Sequence, residues 1–506
     1  MRSVFRPGRT WTLVLVCTAT FMLLLDVSVV TVALPQLRED VGASFADAQW
    51  VFDAYTVMLA GLVMAGAALA DRLGRRAVFV GGLAVFTAAS AIAAVSQDAL
   101  VLVLARGVQG AGGALLLATA VPLLAAAYPG RSRATALGIW GATIGAATAV
   151  GPLVGGVLTD TFGWRSIFLV NVPAGLLAAP LARALVVESR GGRRALDAWG
   201  LVLLTGGLLA GVFAIVRGGA VGWYSTQVVV CGVAALVAVA AFVAVELRLP
   251  APMLDLRLLA TRELAAATVS VAALAVGLTP VLIFLAVYFQ GGLDASPTGA
   301  GLMLLPATVA SAVASGVTGR VLLARLQLPS ILAGASAVVA TGLALMTLLH
   351  DEAGWIVLVP GLTIAGIGWG TINPAAAEGA LASVPPSAAA MASGLIQVTR
   401  QIGIAVGVAA VGALFHAHVE HAVGSTGPVS DAIAGGATKH LAASLPAPAA
   451  DALHAAARRA LADAIGAVSL TGAAICAVGA ITVIVLTTRA RRRAPESQLT
   501  TAATAP

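Results

Sequence analysis

The sequence predicts an all-α integral membrane protein with fourteen transmembrane helices. Apolar residues make up 59% of its 506 residues and charged residues only 10%, whereas a soluble domain carries roughly 25% charged side chains. Apolar runs recur from Trp11 to Thr487, and each has the roughly 20 residues that a helix needs to cross a hydrocarbon core. Lipid is therefore the main solvent of this chain, and helices are its expected element.

Turn residues and charges between the apolar runs mark the ends of the spans. We expect the fourteen spans to begin near Thr12, Trp50, Ala77, Leu100, Ala134, Ile167, Trp199, Val228, Leu264, Ala300, Ser330, Trp355, Ala389 and Ile465. The first run follows three arginines, as a signal peptide would, but it is too long and contains Asp26, so we expect a retained helix. Lys and Arg concentrate in alternate connecting segments, and this bias predicts that both termini are cytoplasmic.

Several residue patterns that enzymes and metal sites need are missing from the sequence. The only lysine is Lys439, which rules out a GxxxxGK phosphate loop, and neither HExxH nor GxSxG occurs. Cys17, Cys231 and Cys476 fall in separate apolar runs, without the spacing of a metal site or a disulfide framework. We therefore expect no enzyme, no cofactor and no metal.

The longest outside segment spans residues 416–463, is rich in Ala, Gly and Pro, and includes a helix-like stretch from Asp451 to Leu461. His416, His418 and His421 lie in it without a Cys or acidic ligand set, which favours a solvated loop over a metal site. The net charge of +7 is spread along the connecting segments rather than gathered in one basic domain. A nucleic-acid partner is therefore not expected.

Three carboxylates fall at plausible membrane depth: Asp26 in span 1, Asp53 near the start of span 2 and Glu378 near the cytoplasmic end of span 12. An intramembrane acid is a functional candidate by default, and proton coupling needs at least one. Asp26 is the first candidate, because the opposite directions of spans 1 and 4 place it and Arg106 in the same outer half. A structural hydrogen bond of Asp26 is the alternative. Asp53 and Glu378 have an interface position as their alternative.

Three motifs occupy the first five spans. The loop after span 2 reads LADRLGRR over residues 69–76, where an acid ends a helix and a glycine permits a tight turn before a basic cluster. Span 4 contains LVLARGVQGAGGA over residues 102–114, and its intramembrane arginine needs a cavity or an acidic partner. Span 5 contains GPLVGG over residues 151–156, after Gly141 and Gly145, so that helices can approach closely and Pro152 bends the span.

Together these motifs resemble the major facilitator superfamily, in which the first is a signature latch loop and the third an antiporter motif. The segments LDVSVVTVALP (25–35) and WRSIFLVNVPAG (164–175) are similar to its fourteen-span drug:proton antiporter branch, and the likeness continues from Gly394 to Gly407. The resemblance implies a major facilitator fold of two six-helix bundles with two inserted helices. The expected parts are a cytoplasmic N-terminus (1–10), a first bundle (11–187), a linker with the two extra helices (188–263), a second bundle (264–488, including the outside segment 416–463) and a cytoplasmic tail (489–506).

The implied function is proton-coupled export of a bulky lipophilic drug or antibiotic across a bacterial inner membrane, which would confer resistance or self-resistance. Its partners would be the small-molecule drug, protons and membrane lipid. The alternatives are a proton-coupled importer of a small solute, which the antiporter motif disfavours, and a non-transporting membrane sensor. The candidate residues are Asp26, Asp53, Arg106 and Glu378 for proton coupling; Asp71, Arg72, Gly74, Arg75 and Arg76 for the latch; Gly145, Gly151, Pro152, Gly155 and Gly156 for the antiporter motif; and Tyr55, Gln109, Trp140, Tyr288 and Arg400 for the substrate cavity.

Overall fold

The chain folds into helices throughout the part that the computed structural model describes, which is residues 7–128, 131–190, 197–249, 252, 257, 259, 261–349, 354–382, 384, 389–424, 427–443 and 445–502. The helices are α1 (Pro7–Asp40), α2 (Phe45–Leu73), α3 (Arg75–Val95), α4 (Ala99–Ala127), α5 (Arg131–Phe162), α6 (Ser166–Leu169), α7 (Asn171–Leu185), α8 (Ala198–Val221), α9 (Thr226–Arg248), α10 (Arg262–Gly291), α11 (Pro297–Met303), α12 (Leu305–Val317), α13 (Leu323–Arg325), α14 (Leu328–Met346), α15 (Leu358–Ala382), α16 (Ala389–Val423), α17 (Pro428–Ala434), α18 (Thr438–Ala443) and α19 (Ala447–Ala502). Within these described residues there is no strand.

Most of the long helices are able to cross a membrane. Among the described residues, 12 helices are long and apolar enough, or 13 if α11 and α12, which are bent by 43°, form one span. The helix α5, which is not among these 12, has 32 residues and a length of about 48 Å, so it is also long enough to cross a membrane. The all-α membrane class is therefore confirmed, and the count of fourteen spans stays a prediction.

The helices α1 to α7 pack into one bundle. Glycine lets α4 approach its neighbours closely: a Cβ at Gly110 would collide with the backbone of Tyr55 on α2. One at Gly112 would lie 2.6 Å from the amide nitrogen of Phe86 on α3. In lipid there is no hydrophobic force between helices, so close van der Waals packing of this kind is what holds them together.

A second bundle contains α10 to α16 and α19. A Cβ at Gly277 of α10 would lie 2.9 Å from the carbonyl oxygen of Gly472 on α19, and one at Gly342 of α14 would lie 2.7 Å from that of Gly361 on α15. The pair α8 and α9 pack on each other, and α8 also contacts α2 and α16.

The two bundles meet where α1 ends and α2 begins, which we call the α1–α2 end. Gln290 Nε2 of α10 donates to the carbonyl oxygen of Val32 on α1, at 2.9 Å. Gln49 Nε2 of α2 donates to the carbonyl oxygen of Val408 on α16, at 3.1 Å. These buried hydrogen bonds close the bundle interface at this end.

Residues 416–463 do not form the predicted solvated loop. The helix α16 continues to Val423, α17 and α18 follow, and α19 begins at Ala447 rather than near Ile465. The helix-like stretch from Asp451 to Leu461 lies within α19 and is confirmed. The loop prediction for the rest of the segment is wrong, because its alanine content favours helix even where few residues are strongly apolar.

The helix α17 lies over the α1–α2 end. The buried Arg38 of α1 donates through Nη1 to the carbonyl oxygen of Ala432, at 3.3 Å. On the other side, His416 Nε2 of α16 lies 2.6 Å from Asp431 Oδ1. The helix therefore connects the two bundles.

Candidate functional site

The first bundle contains a buried ion pair between α1 and α4. Arg106 Nη1 lies 2.5 Å from Asp26 Oδ2, and both side chains are 0% exposed. Arg106 Nε also donates to the carbonyl oxygen of Val51 on α2, at 3.0 Å. Its guanidinium carbon lies 4.3 Å from the centre of the Tyr55 ring, within range of a cation–π interaction. The structure thus brings together three of the predicted site residues.

Two amides complete the coordination of the Asp26 carboxylate. Gln109 Nε2 donates to Asp26 Oδ1 at 2.8 Å and also lies 2.8 Å from Ser90 Oγ on α3. Asn171 Nδ2 of α7 donates to the same Asp26 oxygen, at 3.0 Å. Every one of these partners can donate to an anion, and charge-assisted hydrogen bonds are the strong ones. The network ties α1, α2, α3, α4 and α7 into one unit.

Asp53 has the opposite surroundings. It lies eight residues into α2, it is 0% exposed, and neither carboxylate oxygen has a hydrogen-bond partner in the described part of the chain. An ionised carboxylate without a partner is very costly to bury. Asp53 is therefore a buried acid without a partner, and its two interpretations, proton coupling and a position at the outer interface, both stay predictions.

Glu378 lies near the end of α15 and is exposed. It is part neither of the hydrogen-bonded network around Asp26 nor of the buried surroundings of Asp53. This position favours its alternative interpretation as an interface residue.

The predicted cavity residues fall into two groups. Tyr55, Gln109 and Tyr288 are 0% exposed and lie inside packed helices. Trp140 and Arg400 are partly exposed. Trp140 holds α5 to α1 through a hydrogen bond from its indole nitrogen to a threonine hydroxyl, at 2.8 Å. Only these two therefore reach open space in this conformation.

The predicted latch loop contains a local ion pair and a glycine-dependent turn. Asp71 Oδ1 lies 3.1 Å from Arg75 Nη2, one helical turn further on. Gly74 separates α2 from α3 with φ at 109°, a conformation that L-residues with a side chain rarely adopt. Arg72 is exposed beside them.

The latch loop is held by Glu188, in the segment after α7. Glu188 Oε1 accepts the backbone N–H of Arg76, at 2.9 Å, at the N-terminus of α3, where an anion is stabilised. A Cβ at Gly74 would lie 2.7 Å from the Glu188 carboxyl carbon. These contacts of Asp71, Gly74 and Arg76 join the loop to α3 and to the segment after α7.

The antiporter motif packs α5 against α1. A Cβ at Gly151 would collide with the Ser28 hydroxyl, and one at Gly155 would lie 2.8 Å from the Val29 Cα. The surroundings of Gly145 lie outside the described residues. Small side chains on α5 therefore set the distance between these two helices.

The same motif also touches the second bundle. A Cβ at Gly156 would lie 2.7 Å from the Cα of Thr298 on α11, and one at Gly301 would lie 2.5 Å from the carbonyl oxygen of Pro152. The motif is therefore part of the contact between the bundles at the α1–α2 end.

Sequence reasoning missed three residues of this site: Ser90, Asn171 and Glu188. Asn171 was detectable, because it is a polar side chain within an apolar run and such residues usually have a partner. Glu188 had no comparable signal, since an acid in a polar connecting segment is ordinary.

Comparisons with known proteins place these features in a family context. A family model described as Major Facilitator Superfamily matches residues 16–408. A puromycin resistance protein of Streptomyces alboniger is 36% identical over 80% of this chain and 81% of its own length. A probable actinorhodin transporter of Streptomyces coelicolor is 36% identical over 81% and 73%. A tetracenomycin C resistance and export protein of Streptomyces glaucescens is 31% identical over 81% and 77%.

Solved structures share the fold. A bacterial homologue of the human lysosomal transporter Spinster, in an inward-facing and occupied conformation, superposes with a TM-score of 0.66 at 15% identity and covers 95% of this chain and 97% of its own. A bacterial homologue of the human drug peptide transporters PepT1 and PepT2 gives 0.60 at 15% identity and covers 96% and 99%. At this identity the likeness concerns the fold alone.

Proposed function

Because this chain belongs to the major facilitator superfamily, we propose that it exports a lipophilic drug or antibiotic from the bacterial cytoplasm in exchange for protons. Family membership indicates a transporter rather than an enzyme. The relatives support the kind of cargo, since they are resistance and export proteins for puromycin and tetracenomycin C and a probable transporter of actinorhodin. Resistance to the exported compound follows from this function.

The observation that supports proton coupling is the contrast between two buried carboxylates, Asp26 and Asp53, which lie 27 residues apart in the sequence. Asp26 accepts hydrogen bonds from Arg106, Gln109 and Asn171, so its anion is fully satisfied. Asp53 is equally buried and has no partner among the described residues. A proton removes the cost of burying Asp53, whereas a proton on Asp26 would displace Arg106.

We therefore assign the transported proton to Asp53 and a positioning role to the Asp26 network. The network holds α1, α2, α3, α4 and α7 as one rigid body, which is what rocking of one bundle against the other requires. Asp53 lies about 12 Å along α2 from the α1–α2 end, so it is reached from that side once the bundle interface opens.

Alternating access then consists of breaking the contacts at the α1–α2 end. With both termini in the cytoplasm this end is extracytoplasmic, and the structure described here is closed to the outside. The contacts that must separate are short and polar, such as Gln290 to Val32 and Gln49 to Val408. The glycines of the antiporter motif allow the bundles to close again without a side chain between them.

The decisive experiment compares Asp53→Asn with Asp26→Asn, since an amide keeps the volume of the carboxyl group but cannot bind and release a proton as a carboxylate does. Purified variants would be titrated with a lipophilic dye such as rhodamine B, and proton release would be followed with a pH electrode. We expect Asp53→Asn to bind the dye but release no proton. Export of rhodamine B into inverted vesicles driven by a pH gradient should be lost as well.

Asp160 is the matched control, because it is an exposed acid on α5. Asp160→Asn should release protons as the wild type does. Undiminished proton release from Asp53→Asn would remove Asp53 from the mechanism, and loss of release only in Asp26→Asn would return the role to Asp26.

A further inference from the structure

The second bundle contains one arginine deep in a membrane helix without an acidic partner. Arg400 of α16 donates through Nη1 to Asn373 Oδ1 of α15, at 2.6 Å. Its Nε is buried without a hydrogen-bond partner. Within the described part of the chain, no carboxylate lies within 4.0 Å of it, whereas Arg106 is paired with Asp26.

The position of Arg400 is near the middle of the membrane. It lies 11 residues after the start of α16, or about 16 Å along the axis, and Asn373 lies 9 residues before the end of α15, or about 14 Å. Both helix ends are on the same side of the bundle. These distances are about half the thickness of a hydrocarbon core of roughly 30 Å, so the pair lies near its midplane.

Both side chains face the interior of the bundle rather than lipid. Arg400 shares its helix face with Gly403 and Gly407, which pack against α10: a Cβ at Gly407 would lie 2.8 Å from the Val276 Cα. Asn373 lies on the side of α15 that faces α16, because its Oδ1 accepts the hydrogen bond from Arg400.

The pair is nevertheless accessible. Arg400 and Asn373 are both partly exposed, although both belong to long membrane helices. Because they point inward, the accessible surface belongs to the space between helices.

No described acid on the helices that pack against α16 forms an ion pair with Arg400, and this includes the buried Asp53 of α2. Glu263 lies in the first turn of α10, Glu378 is exposed near the end of α15, and Glu420 lies in the last turns of α16 beside His416. An uncompensated guanidinium at membrane depth is expensive and is expected to have a functional partner. The missing partner is an anion that is not part of the described chain.

We propose that Arg400 and Asn373 form the docking point for an anionic group, such as a carboxylate or phenolate, on the exported compound. Asn373 holds Nη1, and Nε is buried without a partner in this conformation. When the space beside Arg400 opens, the edge formed by Nε and Nη2 can make the two-pronged hydrogen bonds that guanidinium makes with carboxylates. The inference rests on the proposed export function and adds the substrate class: lipophilic weak acids. Export of an anion is also favoured by a membrane potential that is negative inside.

The test uses a dye and its ester, which differ only in the acidic group: rhodamine B and rhodamine B ethyl ester. Binding to the purified protein is measured by fluorescence anisotropy without any pH gradient, so that a failure of proton coupling leaves this measurement intact. We expect the wild type to bind the acid at least about ten-fold more tightly than the ester, as an ionic hydrogen-bonded contact provides. Arg400→Gln should abolish this preference and leave the affinity for the ester unchanged.

Two further variants sharpen the result. Arg400→Lys keeps the charge but not the planar fork, so it should retain only part of the preference. Arg217→Gln removes the same charge from an exposed position on α8 and should bind both dyes as the wild type does.

Three outcomes would overturn the proposal. They are a wild type that does not prefer the acid, an Arg400→Gln variant that keeps the preference, and an Arg400→Gln variant that loses both dyes equally. The last would mean that Arg400 only braces α15. Loss of proton-driven export with an intact acid preference would instead count against the coupling mechanism alone.

Discussion

Removing both members of the buried Asp26–Arg106 pair should cost less than the sum of removing each one alone. Asp26→Asn leaves a guanidinium of 0% exposure without its counter-ion, and breaking a buried pair in this way costs about 3–5 kcal/mol of unfolding free energy. Arg106→Gln should cost a similar amount, because the Asp26 carboxylate is then left with amide donors only. It also removes the hydrogen bond to the Val51 carbonyl oxygen, at 3.0 Å.

The double variant should be less destabilised than the sum of the two singles, by about 0.5–3 kcal/mol, the range found for residues in one hydrogen-bonded network. The assay is denaturant unfolding of the four proteins in mixed micelles, followed by tryptophan fluorescence. The exposed pair Arg165–Asp40, at 3.3 Å, is the matched control and should show a coupling of about 0–1 kcal/mol. Additive effects of Asp26→Asn and Arg106→Gln would refute the coupled-pair reasoning.

Two other predictions concern the bundle contacts. Gly151→Leu should insert normally but export at a small fraction of the wild-type rate, because its side chain would collide with Ser28. Gly81→Leu is the control, since nothing lies within 4 Å of a Cβ at that position. Normal export by the Gly151→Leu variant would contradict the packing argument. Arg38→Ala should open the α1–α2 end, because the hydrogen bond from Arg38 to α17 is lost. In a background without native cysteines, maleimide labelling of a cysteine placed at the buried Ala48 should then be roughly ten-fold faster. An unchanged labelling rate would show that Arg38 does not keep this end closed.

The amino-acid sequence by itself was sufficient for the fold class and for the motifs. Long apolar runs and scarce charges are properties of single segments, and a membrane leaves helices as the default solution. The opposite directions of spans 1 and 4 also placed Asp26 and Arg106 in the same half, and the structure has them in contact. Motif spacing located the latch loop and the antiporter glycines in the same way.

Only the tertiary structure decided which residues are partners. Asn171 reaches Asp26 across 145 positions of sequence, and Glu188 reaches Arg76 across 112, so no local pattern contains these pairs. The lack of an oppositely charged partner is equally non-local: Asp53 and Arg400 differ from Asp26 and Arg106 in what the neighbouring helices present to them. Helix propensity is a property of each segment, whereas the solvation of a buried charge depends on the packing of all its neighbours.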